Sequence, residues 1–419
     1  MFEGILYTVK SLLKKPFKVG LITYYYPEKG KSNNGVAIHT SYLAQGLAKL
    51  GCEVHVFTQG TKSYKRTEYF NEGKIVIHRL NTKLETPVKD PIISSRISYT
   101  LFDSGVITEV TKENSHEKFE LIHTHGWLTG GAFICKHLNG MKWVHTFHAL
   151  EKSRIEFMSK EQQEYFNVAR WIESTIRQAD LLIAVSNFLK IEVLKNYSLS
   201  PERIKYIPNG VDLDLFNQVN YPIQDKKILY VGRFSMEKGI DFIPRIVKNV
   251  FEKDNDIKFE IIAADQNIPP SLQKTKQQFE ELEKKFPNRF IWHKEQISRE
   301  ALPKIYNEAL IYIQPSRYDS FPTTVLEAMA CGKAVICSNR GGMPDMVGNS
   351  GRIVQLNSSV FSKEILRLAE NYKLRERYSR RALEKVKEYG WEKICKEMLK
   401  TYKGVAEKKE VQTKLASLI

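Results

Sequence analysis

PSRYDSFPTTVLEAMACG, residues Pro315–Gly332, is the stretch on which the reading of the fold turns. The five residues before it, Ala309–Ile313 (ALIYI), have the composition of a buried strand, and Pro315-Ser316 ends it. A polar loop follows, and the apolar-rich run from about Thr323 to Ala330 is predicted as a helix stopped by Gly332. Strand, loop and helix start in that order make an anion site, because backbone N–H groups and the helix dipole face the loop. Two carboxylates flank the site, Asp319 in the loop and Glu327 about two turns along the helix. A carboxylate is a pure acceptor and suits paired sugar hydroxyls.

The same pattern recurs on either side. Lys227–Val231 reads as a strand, followed by GRFSMEKG (Gly232–Gly239) and a helix. Phe259–Ala263, Arg289–His293 and Ala334–Ser338 read as further strands, and Thr275–Lys285 as a charged helix with a solvated face. Ala334–Ser338 leads into NRGGMPDMV, where Gly341-Gly342 opens a loop before a helix carrying Asp345. Near the start, Val19–Thr23 is a strand, YYYPEKGKSNNG a loop reaching Gly35, and Val36, Leu43, Leu47 and Leu50 mark one face of a helix before the strand Val54–Thr58. This is the βαβ opening of a doubly wound domain, whose ligands bind at the carboxyl ends of the strands. Gly35 lies there, where a glycine lets backbone approach a phosphate.

Phe119–His123, Lys142–Phe147, Ala179–Val185 (closed by Ser186 and Asn187 as a cap) and Ile204–Ile207 continue the series of strands. Residues 60–118 carry no clear period, least of all Asn81–Arg96. Pro208-Asn209-Gly210 is a turn signal, and a plain turn is the simpler reading of Asn209. The tail reads as helical and basic from Ser362 to about Lys403 and as frayed beyond about Lys408. There is no internal sequence repeat and no low-complexity segment.

Composition narrows the classes. The chain has 419 residues, 42% hydrophobic and 27% charged, enough for two domains with full cores. The net charge of +16 is spread evenly: the first 210 residues hold 28 basic and 20 acidic side chains, and the remainder 36 and 28. An even spread argues against a nucleic-acid arm and favours anionic small substrates or an anionic membrane surface. Five scattered cysteines without CxxC spacing fit reduced thiols in a cytoplasmic protein. No stretch approaches the roughly 18 apolar residues of a membrane span, and no signal peptide is evident. Residues 1–15 place Phe2, Ile5, Leu6, Val9, Leu12 and Leu13 at helical spacing beside lysines, which reads as a helix packed on the first domain or as an interfacial membrane helix on the inner face.

PNGVD (Pro208–Asp212), GRFSMEKG and the Asp319–Glu327 stretch, in that order along the chain, resemble the retaining glycosyltransferases of family four. That family's donor signature is an acidic residue, seven positions, then Glu. Here Asp319 stands in place of the usual Glu and Pro322 where Gly is common, which removes one backbone N–H. HTHGWLTGG (His123–Gly131) and HTFHALEK (His145–Lys152) look most like the branch holding sucrose-phosphate synthases and inositol-phosphate glycosyltransferases. The latter carry a Tyr, which helps bind the acceptor phosphate, where Gly126 stands here; its absence argues against that acceptor.

The resemblance implies the GT-B fold: two Rossmann-like doubly wound α/β domains facing across a cleft, at 1–208 and 209–388, with a helix at 389–419 crossing back to the first. It implies transfer of a sugar from a nucleotide-diphosphate sugar to a hydroxyl acceptor, with retention and no metal or cofactor beyond the donor. Arg233 and Lys238 would grip the diphosphate, Asp319 a donor-sugar hydroxyl and Glu327 the ribose, with Gly35, Phe321, Thr323 and Thr324 completing the donor site. His148 would bond the donor sugar, leaving its neighbouring carbonyl to face the cationic transition state. Asn34, His125 and Arg170 would meet the acceptor, and Glu173 matches the branch as well. The plainer alternatives stay open: His148 and His125 bonded to nearby carbonyls, Arg170 in a solvated ion pair. Four histidines near strand ends raise a zinc site, but no HExxH pair exists. A hydrolase would need two carboxylates facing across one sugar bond, which a loop Asp and a mid-helix Glu do not promise. A nucleotide-sugar epimerase shares the fold without a signature here, and a non-catalytic relative would be expected to have lost Arg233, Lys238 or Glu327.

Overall fold

The computed structural model describes residues 15–28, 34–60, 66–82, 88–126, 129–157, 163, 174–219, 225–266 and 268–416. Residues 1–14, Arg170 and Glu173 lie outside these, and with them the expected amphipathic start and one expected acceptor contact. The chain forms two compact units. One comprises Met1–Thr146, Ile172–Leu182 and Cys395–Ile419; the other comprises Phe147–Trp171 and Ile183–Ile394.

The early elements are β1 (Lys18–Thr23), α1 (Gly35–Lys49), β2 (Glu53–Gln59), β3 (Arg66–Phe70), β4 (Ile75–Leu80), α2 (Pro91–His116) and β5 (Leu121–His125). Next come α3 (Gly130–Asn139), β6 (Trp143–Phe147), α4 (Glu151–Arg154), β7 (Leu181–Ala184), α5 (Asn187–Tyr197) and β8 (Ile204–Tyr206). The strands form a sheet in the order β3-β4-β2-β1-β5-β6-β7-β8. Pairing from β4 to β6 is parallel, and β3 lies antiparallel to β4. Every residue of β1, β4, β5 and β6 is buried, as strands covered on both faces must be.

Such burial obliges the polar residues in these strands to pair. His123 Nδ1 meets Tyr402 Oη at 2.5 Å and its Nε2 meets Thr146 Oγ1 at 2.8 Å, while His145 Nδ1 meets Thr124 Oγ1 at 2.9 Å. Two of the four histidines singled out above are therefore structural. The segment without clear period holds β3, β4 and the 26-residue α2. Its buried face runs Phe102, Val106, Val110 at helical spacing, interrupted by Gly105 and the buried Glu109, which blurs the pattern.

The second unit continues with β9 (Lys226–Val231), α6 (Ile243–Phe251), β10 (Ile257–Ile262), α7 (Gln273–Lys285), β11 (Phe290–His293), α8 (Leu302–Glu308) and β12 (Ile311–Gln314). Then follow α9 (Thr323–Ala330), β13 (Ala334–Ser338), α10 (Met343–Val347), β14 (Arg352–Val354), α11 (Ser358–Glu370) and α12 (Tyr372–Val386). Its sheet is parallel throughout, ordered β11-β10-β9-β12-β13-β14. The order reverses between β9 and β12, the switch point at whose carboxyl-end side sheets of this kind bind ligands. Ile228, Ile261, Ile311, Ile313 and Ile336 are fully buried in this core, each worth about 1.5–3 kcal/mol.

The tail is broken into three helices, at Asn371, which caps α12 through Leu374 N, and at the 3₁₀ turn Lys387–Tyr389 before α13 (Trp391–Ala416). α13 extends to Ala416, past Lys408 where the sequence suggested fraying; Glu, Lys, Gln, Leu and Ala are good helix formers. All five cysteines are buried and unpaired with one another. Among the described residues no helix is long and apolar enough to cross a membrane.

Candidate active site at the switch point of the second sheet

Three loops meet where β9, β12 and β13 end. The first runs from Gly232 through the 3₁₀ turn Met236–Lys238 to Gly239. Gly239 has φ +69°, and a Cβ on it would stand 1.8 Å from the Pro315 carbonyl oxygen, so only glycine allows this approach to the second loop. The third loop closes from the other side: Gly342 N donates to Asp319 O at 2.8 Å, and a Cβ on Gly341 (φ +61°) would lie 2.1 Å from the same oxygen. Ser338 Oγ donates to Ser316 O at 2.6 Å. Backbone packing, rather than side-chain chance, therefore holds GRFSMEKG beside the Asp319 loop.

This packing brings together most of the residues expected at the donor. Lys238 Nζ contacts Asp319 Oδ2, and Arg233 contacts Glu237 Oε1. Burial lowers the Lys238 pKa, while Asp319 opposes the shift. The Arg233 side chain remains 62% exposed. Ser235 Oγ, in the same loop, is buried with no hydrogen-bond partner among the described residues. The loop after Asp319 ends at α9, whose first turn no side chain caps, and Thr323 and Thr324 are half-buried there. Those N–H groups and the positive end of the helix dipole suit an anion.

Glu327 sits behind this helix start, 2% exposed. Arg299 donates to its Oε1 at 2.7 Å and Tyr306 Oη to its Oε2 at 3.0 Å. Burial raises its pKa, against the pull of Arg299 and Tyr306. Both oxygens keep further lone pairs, so the carboxylate is fixed in place with acceptor capacity left over.

His148 follows the end of β6. Burial drives its imidazole down to about 4, with Asn209 beside it favouring the cation, so it is neutral near pH 7. Asn209 Nδ2 donates to Phe321 O at 3.3 Å. Asn209 is thus more than the turn residue the sequence suggested, for it links the His148 segment to the donor loop.

The other expected site residues have surroundings of their own. The Phe321 ring is buried against Tyr389, with centroids 5.5 Å apart, and is packing rather than a ligand surface. Asn34 is the N-cap of α1, its Oδ1 accepting from Val36 N at 3.0 Å and Ala37 N at 3.2 Å, so its oxygen serves the helix rather than an acceptor. Gly35 faces open space, with nothing within 4 Å of a Cβ placed there. His125 is buried in the first unit, its ring 4.1 Å from that of His123 and 5.2 Å from that of His39. Asp345 accepts from Phe188 N at 3.1 Å, at the start of α5. Sequence reasoning missed Glu237, Arg154, Arg299 and Tyr306. Glu237 adjoins Lys238 and could have been weighed with it; Arg299 and Tyr306 carry no local signal.

Comparison with known proteins bears on this arrangement. Residues 33–215 match the model described as Glycosyltransferase Family 4, and residues 213–385 match Glycosyl transferases group 1. An uncharacterized glycosyltransferase of Methanocaldococcus jannaschii is 27% identical over 92% of this chain and 98% of its own. The alpha-maltose-1-phosphate synthase of Mycolicibacterium smegmatis is 25% identical over 93% of this chain and 100% of its own. Among solved structures, the sucrose-phosphate synthase of Thermosynechococcus elongatus superposes with a TM-score of 0.75 at 22% identity, covering 93% of this chain and 98% of that one. Two family matches laid end to end over a pair of Rossmann-like units leave one assignment: the chain belongs to the glycosyltransferases of the GT-B fold, a family 4 domain followed by a group 1 domain.

Proposed function

We propose that the protein transfers a sugar from a nucleoside-diphosphate sugar to a hydroxyl acceptor, with retained anomeric configuration and without a metal ion. The observation that carries the donor assignment is the placement of Arg233 and Lys238 on one short loop beside the strand–loop–helix unit that ends at the uncapped start of α9. As the sugar–phosphate bond breaks, negative charge grows on the leaving diphosphate. Two cations, the half-buried Lys238 and the exposed Arg233, and a helix N-terminus stabilise it where a metal ion would otherwise be needed. Arg offers a planar fork and Lys a point charge. Glu327 accepts from the ribose, Asp319 from a sugar hydroxyl, and neutral His148 bonds the sugar. The acceptor oxygen attacks from the leaving-group face, its new bond to the anomeric carbon replacing the bond to the diphosphate, and its proton passes to a diphosphate oxygen.

The acceptor is a glycan, a lipid-linked sugar or a small sugar or polyol phosphate. Gly126 holds φ +86°, a conformation a tyrosine rarely adopts, which favours an acceptor other than inositol phosphate. Residues 1–15 are carried forward as a candidate membrane-surface segment, and liposome flotation with and without them tests it; equal flotation removes the idea. For the reaction itself, the protein is incubated with UDP-, ADP- and GDP-sugars with and without an acceptor panel, in chelator. Free nucleoside diphosphate that appears only with acceptor, and a product of unchanged anomeric configuration by NMR, are expected. Release without acceptor would indicate a hydrolase, and no release with any pair would reject the reading.

A further inference from the structure

A carboxylate sits in the middle of a site built for an anion. Glu237 is buried, and its two oxygens are divided between two cations: Oε1 contacts Arg233, and Oε2 accepts from Arg154 Nε at 3.2 Å. Its backbone carbonyl accepts from Arg317 N at 2.8 Å and Tyr318 N at 3.2 Å, so the Asp319 loop itself pins the residue. Arg154 also donates to Glu151 Oε1 at 3.0 Å, and Lys238 contacts Asp319. Arg154, Arg233 and Lys238 thus alternate with Glu151, Glu237 and Asp319. A pocket selected only for tight diphosphate binding would have no use for Glu237, since Coulomb repulsion from a poorly solvated carboxylate weakens any anion beside it.

The reaction gives that repulsion a use. The donor's diphosphate is esterified at both ends. When the bond to the anomeric carbon breaks, the former bridging oxygen becomes a terminal oxygen of the β-phosphate; a diphosphate oxygen takes the acceptor's proton and then loses it to water, so the product carries one more negative charge than the donor. A fixed carboxylate next to Arg233 penalises the product more than the donor. We propose that Glu237 is a positioning residue that shares Arg233 with the diphosphate, so that the site holds the donor but lets the nucleoside diphosphate go. This rests on the donor-site reading above. Arg154 keeps Glu237 oriented, and the exposed Arg233 is the cation able to move between the two anions.

The test compares product inhibition with donor KM in the full-length wild type, Glu237→Gln, Glu237→Asp and Arg154→Gln, using the nucleoside diphosphate that inhibits the wild type. Glu237→Gln is expected to lower the product inhibition constant about tenfold, equivalent to about 1.4 kcal/mol, while the donor KM moves less than about threefold and kcat falls as product release slows. Glu237→Asp should restore the wild-type ratio. Arg154→Gln leaves Glu237 to Arg233 alone and should raise the product inhibition constant relative to KM, which keeps the test available if Glu237→Gln does not fold. A purely structural role would change melting temperature without moving that ratio. An unchanged ratio in both Glu237→Gln and Arg154→Gln, or a ratio that Glu237→Asp fails to restore, overturns the inference alone. A wild type inhibited by none of UDP, ADP or GDP overturns the donor-site reading and this inference with it.

Discussion

Lys238 is a half-buried cation whose partner is a carboxylate and whose loop is locked by a glycine contact. Removing it leaves Asp319 without that cation and the diphosphate without a fixed point charge. Lys238→Ala and Arg233→Ala should each lower kcat by about 10²–10³-fold, the loss seen when one oxyanion donor is removed. Steady-state rates at saturating donor measure this, and undiminished turnover in either would count against the assignment. Glu327 presents a different problem, because its cost is paid in stability. Arg299→Ala would leave a 2%-exposed carboxylate with only Tyr306, and breaking such a buried pair typically costs about 3–5 kcal/mol. Denaturant unfolding checks it; a loss under 1 kcal/mol would mean the pair is solvated.

His148 adds a pH signature. Its folded pKa lies near 4, below the ordinary 6.5 of an unfolded histidine, so the unfolded chain binds the extra proton between those values. Stability from this residue is therefore full above about pH 6.5 and is lost as pH falls toward 4. His148→Gln should flatten the pH dependence of melting across that window relative to wild type. Parallel curves would show that His148 titrates normally.

At the scale of elements, Gly239 and Gly35 make a paired test. Gly239→Ala demands a left-handed residue, which costs about 1–2 kcal/mol, and forces a Cβ against the Pro315 carbonyl, so it should destabilise by more than that and displace Lys238. Gly35→Ala has nothing to strike and no positive φ; it should leave melting unchanged or slightly raised, and lower activity only if substrate approaches that backbone. Melting and kcat measured together separate the two. The elements themselves were largely legible: α9 and β13 fall where the apolar runs placed them, and the βαβ opening follows from its leucine face. What was not legible has physical causes. β3 is a mostly exposed edge strand without apolar alternation, and α2 mixes buried Glu109 and Gly105 into its inner face. β5 begins two residues late, at Leu121, because Phe119 belongs to the loop that packs under Lys18.

At the scale of the whole molecule, the chain order of the donor loops was readable and their meeting was not. Arg233, Lys238 and Asp319 stand in recognisable local patterns, yet the partners Arg154, Arg299 and Asn209, which hold the site, come from segments up to 112 residues away with no mark of their purpose. The reversal of strand order between β9 and β12 supplies the missing rule, since it brings the ends of non-consecutive strands together. The histidines teach the converse. Their density suggested chemistry, but His123 and His145 answer a need for hydrogen bonds inside a sheet buried on both faces.

The account stands on where the diphosphate binds. A crystal structure with a nucleoside-diphosphate sugar measures this directly. The diphosphate is expected against Arg233, Lys238 and the first turn of α9, with the ribose on Glu327. A diphosphate bound elsewhere on the chain, or packed side chains filling that position at saturating donor, would contradict it.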